Sequence, residues 1–388
     1  MRDRTPAAPE HIPQADPHAG YLAQRPEIDA AIARVLLSGR YVLGDEVEAF
    51  EAEFSAFVGS DHGIGVASGT DALALGLKAL GVGRGDGVAT VSHTAVATVA
   101  AIERAGATPV LVDVDRASQT MAPEALAAVL ARPPLPIRAV ISVHLYGHPA
   151  DMGAICALAA RHGAAVLEDG AQAHGAAIDG RRVGSFGQLG AFSFYPTKNL
   201  AGFGDGGMLV TDDPGLAKRL RRLRQYGWDA ARSSRVPGEN SRLDELQAAV
   251  LRVRLLRLEA DNGRRRAIAE AYDRGLDELP LVRPARRPGV LHAFHQYVVR
   301  VADRPAVRAR MERMKVATAI HYPAPVHLQP AYLGRLPIGP AGLAVTEALA
   351  DEVLSLPMFP QLTDQMAARV VEALRAAAPV RGAAAEPA

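Results

Sequence analysis

Along residues 45 to 57, DEVEAFEAEFSAF, the apolar positions Val47, Phe50, Phe54 and Phe57 recur at helical spacing. Acids fill the first turn and Gly59 stands just past the end, so the pattern predicts an amphipathic helix. Short β-rich runs then alternate with helical ones: GIGVA with a helix from Thr70, GVATV with a helix from Thr94, TPVLVDV with PEALAAVLA, RAVISV with DMGAICALAARHG, and last AAVLED. Runs that are apolar on both sides belong to strands covered on both faces. The alternation therefore predicts an α/β fold, a mostly parallel sheet flanked by helices.

After residue 190 the order becomes AFSFY, a glycine-rich stretch, GMLVT and the basic helix DPGLAKRLRRLRQYG. A turn-rich loop, WDAARSSRVPGENS, precedes a long helix expected from about Arg242 to Asp261. Beyond it the helices are more widely spaced, and QYVVRV reads as a half-exposed strand. The expected division is a loosely held N-terminal arm over 1–20, a large domain over 21–250, a smaller C-terminal α+β domain over 251–380 and a disordered tail over 381–388.

Composition narrows the partners. Lys and Arg total 43 against 42 Asp and Glu, so no whole-chain field draws nucleic acid or an anionic membrane, and an anionic ligand needs a local site. The first twenty residues lack the apolar core of a secretory signal, and no stretch suits a bilayer. The single cysteine, Cys156, lies in the apolar run AICALAA and reads as buried packing; a reducing cytoplasm fits.

Asp169 in VLEDGAQAHG and Lys198 in FSFYPTKN each follow a buried strand. In an open α/β sheet ligands bind beyond the carboxyl ends of the strands, so both side chains are expected in one crevice. Pyridoxal phosphate requires a lysine to hold its aldehyde as a Schiff base and an acid to keep its ring nitrogen protonated. Spacing alone equally allows a structural ion pair. In VASGTDALALGLKALG, a strand, the turn Ser68-Gly69-Thr70 and a helix with Leu73, Leu77 and Leu80 on one face offer unpaired N–H groups and a hydroxyl to a phosphate. In isolation the same segment is a capped helix.

Three other signals lead nowhere. Gly202, Gly204 and Gly207 satisfy a dinucleotide-binding string but precede a strand instead of opening a helix. His144 and His148 have the spacing of a zinc helix, which Gly147 and Pro149 would break, and no metal is expected. The run KRLRRLRQ is most simply a solvated helix face.

The segments SGRYVLGDEVEAFE, ASGTDAL, VHLYGHPADM, EDGAQAHGA, AFSFYPTKNL, FGDGGMLVT, LRQYG, NSRLDELQAAVL and HYPAPVHLQPAY resemble the DegT/DnrJ/EryC1/StrS family of sugar aminotransferases, fold type I pyridoxal phosphate enzymes, from about Ala30 to about Pro360. The resemblance implies Lys198 as the cofactor lysine and proton shuttle, and Asp169 as partner of the ring nitrogen. It further implies Gln172 on the phenolic oxygen and Gly69, Thr70 and Ser193 on the phosphate, with Asn240 reaching in from the other subunit of a homodimer. For Asn240 a helix cap is the alternative. Where the family usually stacks an aromatic residue on the cofactor ring, this chain has Ala95, in SHTAVAT, leaving His93 or a more distant side chain to cover the ring. The family often has alanine at the position of Gly170.

The resemblance also implies a nucleotide-linked keto-sugar substrate, a dTDP-deoxyhexose aminated at carbon 3, with glutamate as donor and pyridoxamine phosphate as the intermediate cofactor form. Tyr41, His321, Tyr322 and His327 are the candidate sugar contacts; the histidines alternatively satisfy loop carbonyls. A carbon 4 aminotransferase, a sugar dehydratase and a non-catalytic cofactor-binding regulator are the alternatives. The dehydratase branch has histidine where Lys198 stands.

Overall fold

The computed structural model describes residues 11–378; positions 1–10 and 379–388 lie outside it, and with them part of the expected arm and all of the expected tail. Helices α1 (Pro17–Leu22), α2 (Arg25–Ser38) and α3 (Asp45–Val58) come first. Strand and helix then alternate through β1 (His62–Val66), α4 (Gly69–Ala79), β2 (Gly87–Val91), α5 (Val96–Arg104), β3 (Thr108–Val112), α6 (Pro123–Ala131), β4 (Ile137–Val143), α7 (Met152–Arg161) and β5 (Ala165–Asp169). The short strands β6 (Ala177–Ile178) and β7 (Arg181–Arg182) lead to β8 (Leu189–Ser193), β9 (Gly207–Thr211), α8 (Pro214–Leu223), α9 (Glu245–Leu255) and α10 (Leu258–Gly275). Last come β10 (Val290–Leu291), β11 (Tyr297–Arg300), α11 (Arg304–Arg313), α12 (Ala344–Glu352), β12 (Val353–Leu356) and α13 (Asp364–Ala377).

The main sheet has the order β1-β9-β8-β5-β4-β2-β3. All its pairings are parallel except the two made by β9, which runs antiparallel between β1 and β8. The expected fold is therefore present: a mostly parallel sheet whose core, with Ile64, Leu77, Val140 and Leu167 fully buried, is closed by helices. The carboxyl ends of β1, β2, β4, β5 and β8 consequently open on one side, where loops gather.

Helix α3 shows how distant segments are tied in. Its N-cap, Gly44, has no side chain to satisfy the first N–H groups, and Glu245 of α9 does so instead, accepting from Gly44, Glu46 and Val47 at 2.7, 3.0 and 3.0 Å. A second core, built on Tyr272, Tyr297, Met311, Val370 and Leu374, packs α10, α11 and α13 against the β11–β12 pair.

Several expectations change. The helix from Arg242 to Asp261 is two helices, because a turn at Leu256–Arg257 redirects the chain from the main sheet to the second core. QYVVRV is not half-exposed: Tyr297, Val298 and Val299 are buried. The arm is held within its described part, since Ile12 is buried in the second core and bonds through its backbone to Lys315 and Ala317. Arg224, in the basic run, is buried and bonds Glu51 and the Gly65 carbonyl. Cys156 is half-buried, its sulfur 3.7 Å from the Phe186 carbonyl.

Candidate active site

Beyond the carboxyl ends of the strands lies a cleft of about 750 Å³. Ser68, Gly69 and Thr70 enter it after β1, Ala95 and Thr98 around the start of α5, His144 after β4, Asp169 and Gln172 at the end of β5, Ser193 at the end of β8 and Lys198 after it. The crevice that strand ends alone predict thus brings Asp169 and Lys198 together.

Lys198 follows a tight turn in which its N–H donates to the Tyr195 carbonyl at 2.9 Å. Burial disfavours the ammonium and lowers its pKa to about 8, and the nearby Asp169 charge limits the drop. Asp169 is buried, and that burial pushes its carboxyl above the usual range. Opposing the shift, the Ala171 N–H donates to Oδ1 at 3.2 Å, the Thr98 hydroxyl donates to Oδ2 at 3.0 Å, and Lys198 contributes its charge.

The helix start shapes the far wall. Ser68 caps α4, accepting from the Asp71 N–H at 3.1 Å. A Cβ on Gly69 would lie 2.6 Å from the Ser193 Cβ, so glycine lets the helix N-terminus and the end of β8 close on one small space. Oriented N–H groups and two hydroxyls are donors suited to a phosphate. Gln172 bridges the other wall: its Oε1 accepts from the Tyr146 N–H at 2.6 Å and its Nε2 donates to the Tyr322 hydroxyl at 3.2 Å. One amide hydrogen is left to face a ligand oxygen. Together these donors, one amine and one buried carboxylate fit pyridoxal phosphate.

The sugar-contact candidates divide. His321 and Tyr322 are half-buried beside the cleft; burial, with the Lys198 charge, lowers the His321 pKa to about 4 and burial raises that of Tyr322 to about 12. His327 is a correction: it is buried, Nδ1 lies 2.8 Å from Ser92 Oγ and Nε2 3.1 Å from Glu347, so both ring nitrogens clamp the loop and none faces the cleft. Tyr41 is exposed on the α2–α3 connection, bonded to the Leu36 carbonyl, and is not part of this chain's cleft. Asn240 is exposed as well, in a bridge with Gln225, outside the same cleft.

Ala95 does line the cleft, whereas His93 is buried with Nε2 3.0 Å from the Tyr146 hydroxyl and is not part of the cleft lining. Thr98, Tyr195 and Asp205, for which the sequence offers no site reading, also line it, as does His144, read there only for a metal. The Thr94–Thr98 hydroxyl pair, one helical turn apart and 3.0 Å in contact, is the signal available for Thr98. Among the described residues no group of three or more His, Cys, Asp or Glu could hold a metal, and no helix is long and apolar enough to cross a membrane.

The sequence model of the DegT/DnrJ/EryC1/StrS aminotransferase family matches residues 23–375. A dTDP-3-amino-3,4,6-trideoxy-alpha-D-glucose transaminase of Streptomyces venezuelae is 50% identical, over 94% of this chain and 95% of its own length. The erythromycin biosynthesis sensory transduction protein EryC1 of Saccharopolyspora erythraea is 48% identical over 95% of this chain and 100% of its own. The crystal structure of S. venezuelae DesV in complex with a ketimine intermediate superposes with a TM-score of 0.91 at 49% identity, covering 95% of this chain and 98% of that one.

Proposed function

The chain belongs to the DegT/DnrJ/EryC1/StrS aminotransferase family, and we propose that this pyridoxal phosphate dependent enzyme transfers an amino group from glutamate to carbon 3 of a dTDP-linked keto-6-deoxyhexose. The observation that carries the reading is one lysine with its pKa drawn down to about 8, facing a buried carboxylate across a cleft that ends in a helix N-terminus. The named activity of the Streptomyces relative, alike over nearly its whole length, supports the carbon 3 assignment over carbon 4. Lys198 itself speaks against the dehydratase branch.

When bound, pyridoxal phosphate supplies the electron sink for the carbon that loses its proton. Lys198 holds the cofactor through its amine. With the cofactor bound, the Lys198 Nζ would carry the proton from the donor's α-carbon to the cofactor and, in the second half-reaction, from the cofactor to carbon 3 of the sugar. A pKa of about 8 leaves an appreciable fraction of the amine unprotonated near neutrality. Asp169 keeps the proton on the ring nitrogen and gains the positive partner that its hydrogen bonds do not provide. Gln172 binds the phenolic oxygen, and Gly69, Thr70 and Ser193 hold the phosphate. Ala95, in the cleft lining, would offer a bound ring no stacking face. His321 and Tyr322 contact the sugar.

Asn240, exposed and outside its own cleft, serves the cleft of a second copy, so the working unit is a homodimer; Tyr41 lies on the same kind of exposed loop. The cofactor domain runs over 21–250, the smaller domain over 251–380, and the enzyme works in the cytoplasm.

Borohydride reduction of the holoenzyme, followed by peptide mapping, is expected to leave pyridoxyl on Lys198. The pyridoxamine form, offered a panel of nucleotide-linked 3-keto and 4-keto sugars, is expected to aminate the 3-keto dTDP sugar. Adduct on another residue, or amination of 4-keto sugars alone, would overturn the reading. The name of EryC1, a sensory transduction protein, favours a second reading, a cofactor-binding regulator. Under that reading, addition of glutamate releases no 2-oxoglutarate.

A further inference from the structure

Tyr146 follows β4 in a left-handed backbone conformation, φ 60°, which a bulky side chain adopts at a cost of about 1 kcal/mol or more. It is buried, yet every polar group it carries is engaged. Its N–H donates to Gln172 Oε1 at 2.6 Å, its carbonyl accepts from the Gln296 N–H at 3.2 Å, and its hydroxyl bonds the His321 carbonyl and lies 3.0 Å from His93 Nε2.

The bonding directions are fixed by elimination. A carbonyl oxygen only accepts, so the one hydroxyl proton of Tyr146 points to His321. His93 must then carry its proton on Nε2 and donate to the Tyr146 oxygen; its burial, which lowers the imidazole pKa to about 4, keeps it in the neutral form. Because Gln172 Nε2 donates to the Tyr322 hydroxyl, and Tyr322 is bonded to His321 in the chain, the contacts close into a circuit. It runs from the Tyr146 backbone through the Gln172 amide, the Tyr322 phenol and the His321 carbonyl back to the Tyr146 phenol.

We propose that Tyr146 is a positioning residue for the sugar half of the reaction, setting His321 and Tyr322 against the cofactor-facing Gln172. The inference rests on the transaminase reading above. The left-handed turn is what allows one residue to present its N–H to Gln172 and its hydroxyl to the loop. His321 Nδ1, 2.8 Å from Ser355 Oγ on β12, ties the other side of the loop to the smaller sheet, while the Tyr146 hydroxyl and the Gln172 amide tie it to the cleft wall.

The test uses Tyr146→Phe holoenzyme, which keeps the ring and the backbone N–H to Gln172 and loses only the hydroxyl. The two half-reactions are followed separately by stopped-flow absorbance: glutamate with the pyridoxal form, and a dTDP-linked 3-keto-6-deoxyhexose with the pyridoxamine form. The expected result is an apparent sugar Kd raised about tenfold, about 1.4 kcal/mol, with the glutamate half-reaction changed less than about twofold. His93→Leu, which removes one bond from the same oxygen, is expected to shift the sugar Kd in the same direction by a smaller factor, and His93→Gln to restore it. Equal losses in both half-reactions, or an unchanged sugar Kd in both Tyr146→Phe and His93→Leu, would overturn the positioning role while leaving the transaminase reading intact. Absence of the glutamate half-reaction in the unmodified enzyme would overturn both.

Discussion

Glu168 and Asp169 are neighbours on β5 and therefore point to opposite faces of the sheet, Asp169 into the cleft and Glu168 into the protein. The Glu168 carboxylate accepts four hydrogen bonds: from the Phe186 and Gly187 N–H groups at 2.6 and 2.8 Å on Oε1, and from the Gly184 N–H at 2.9 Å and His144 Nε2 at 3.2 Å on Oε2. His144 cannot reverse its role, because its Nδ1 already accepts from the Ala150 N–H at 3.0 Å and so its proton sits on Nε2. Glu168→Gln keeps the shape but replaces one oxygen with an NH2 group. Whichever way the amide turns, two buried donors meet a third donor. Stripping a buried donor costs about 1–3 kcal/mol, so the variant is expected to lose about 2–6 kcal/mol, a large share of the 5–15 kcal/mol typical of a folded protein. Urea denaturation followed by circular dichroism measures it. A loss below about 1 kcal/mol would refute the assigned directions of these bonds.

Thr98→Val removes the hydroxyl that helps keep Asp169 ionised against burial; the carboxyl pKa rises further, and the acid limb of the glutamate half-reaction should move up by about one to two pH units. A pH–rate profile reads this directly, and an unmoved limb would remove Thr98 from the site. Ala95→Tyr offers the ring a stacking face worth about 1 kcal/mol, and fluorescence titration should find the cofactor Kd lowered about fivefold. Gly170→Ala would put a Cβ 2.6 Å from Phe192 Cε1, and that ring already packs 5.0 Å from Phe54. Overpacking there should cost about 1–3 kcal/mol in thermal denaturation, even though alanine is the residue the family often has.

The strands of the main sheet could be read from the sequence because each is an apolar run bounded by glycines or turn residues, and Asp169 and Lys198 could be read because Asp169 closes such a run and Lys198 follows one closely. The reversal of β9 could not, since an antiparallel strand buried on both faces has the same apolar pattern as a parallel one. Nothing local marks the helix break at Leu256–Arg257, where neither glycine nor proline stands. The burial of Tyr297 to Val299 depends on α10, α11 and α13, which pack there only in three dimensions. His327 misled for a similar reason: one of its partners, Ser92, lies 235 positions away, and a histidine among prolines looks the same whether it clamps a loop or meets a ligand. Tyr146 gave no signal, because what singles it out is a backbone conformation and a circuit of long-range bonds.

The carboxylate that closes the start of α3 arrives from a residue 201 positions later. At ~5–20 residues per second, a ribosome needs roughly 10–40 s to deliver it. During that interval the nascent chain holds a helix with bare amide hydrogens and an edge strand, β1, whose only sheet neighbour, β9, is made late in the same interval. Translation must therefore pass Glu245 before the start of α3 gains its permanent cap, and chains truncated ahead of that point are expected to be substrates for chaperones and proteases instead of precursors of a partial enzyme.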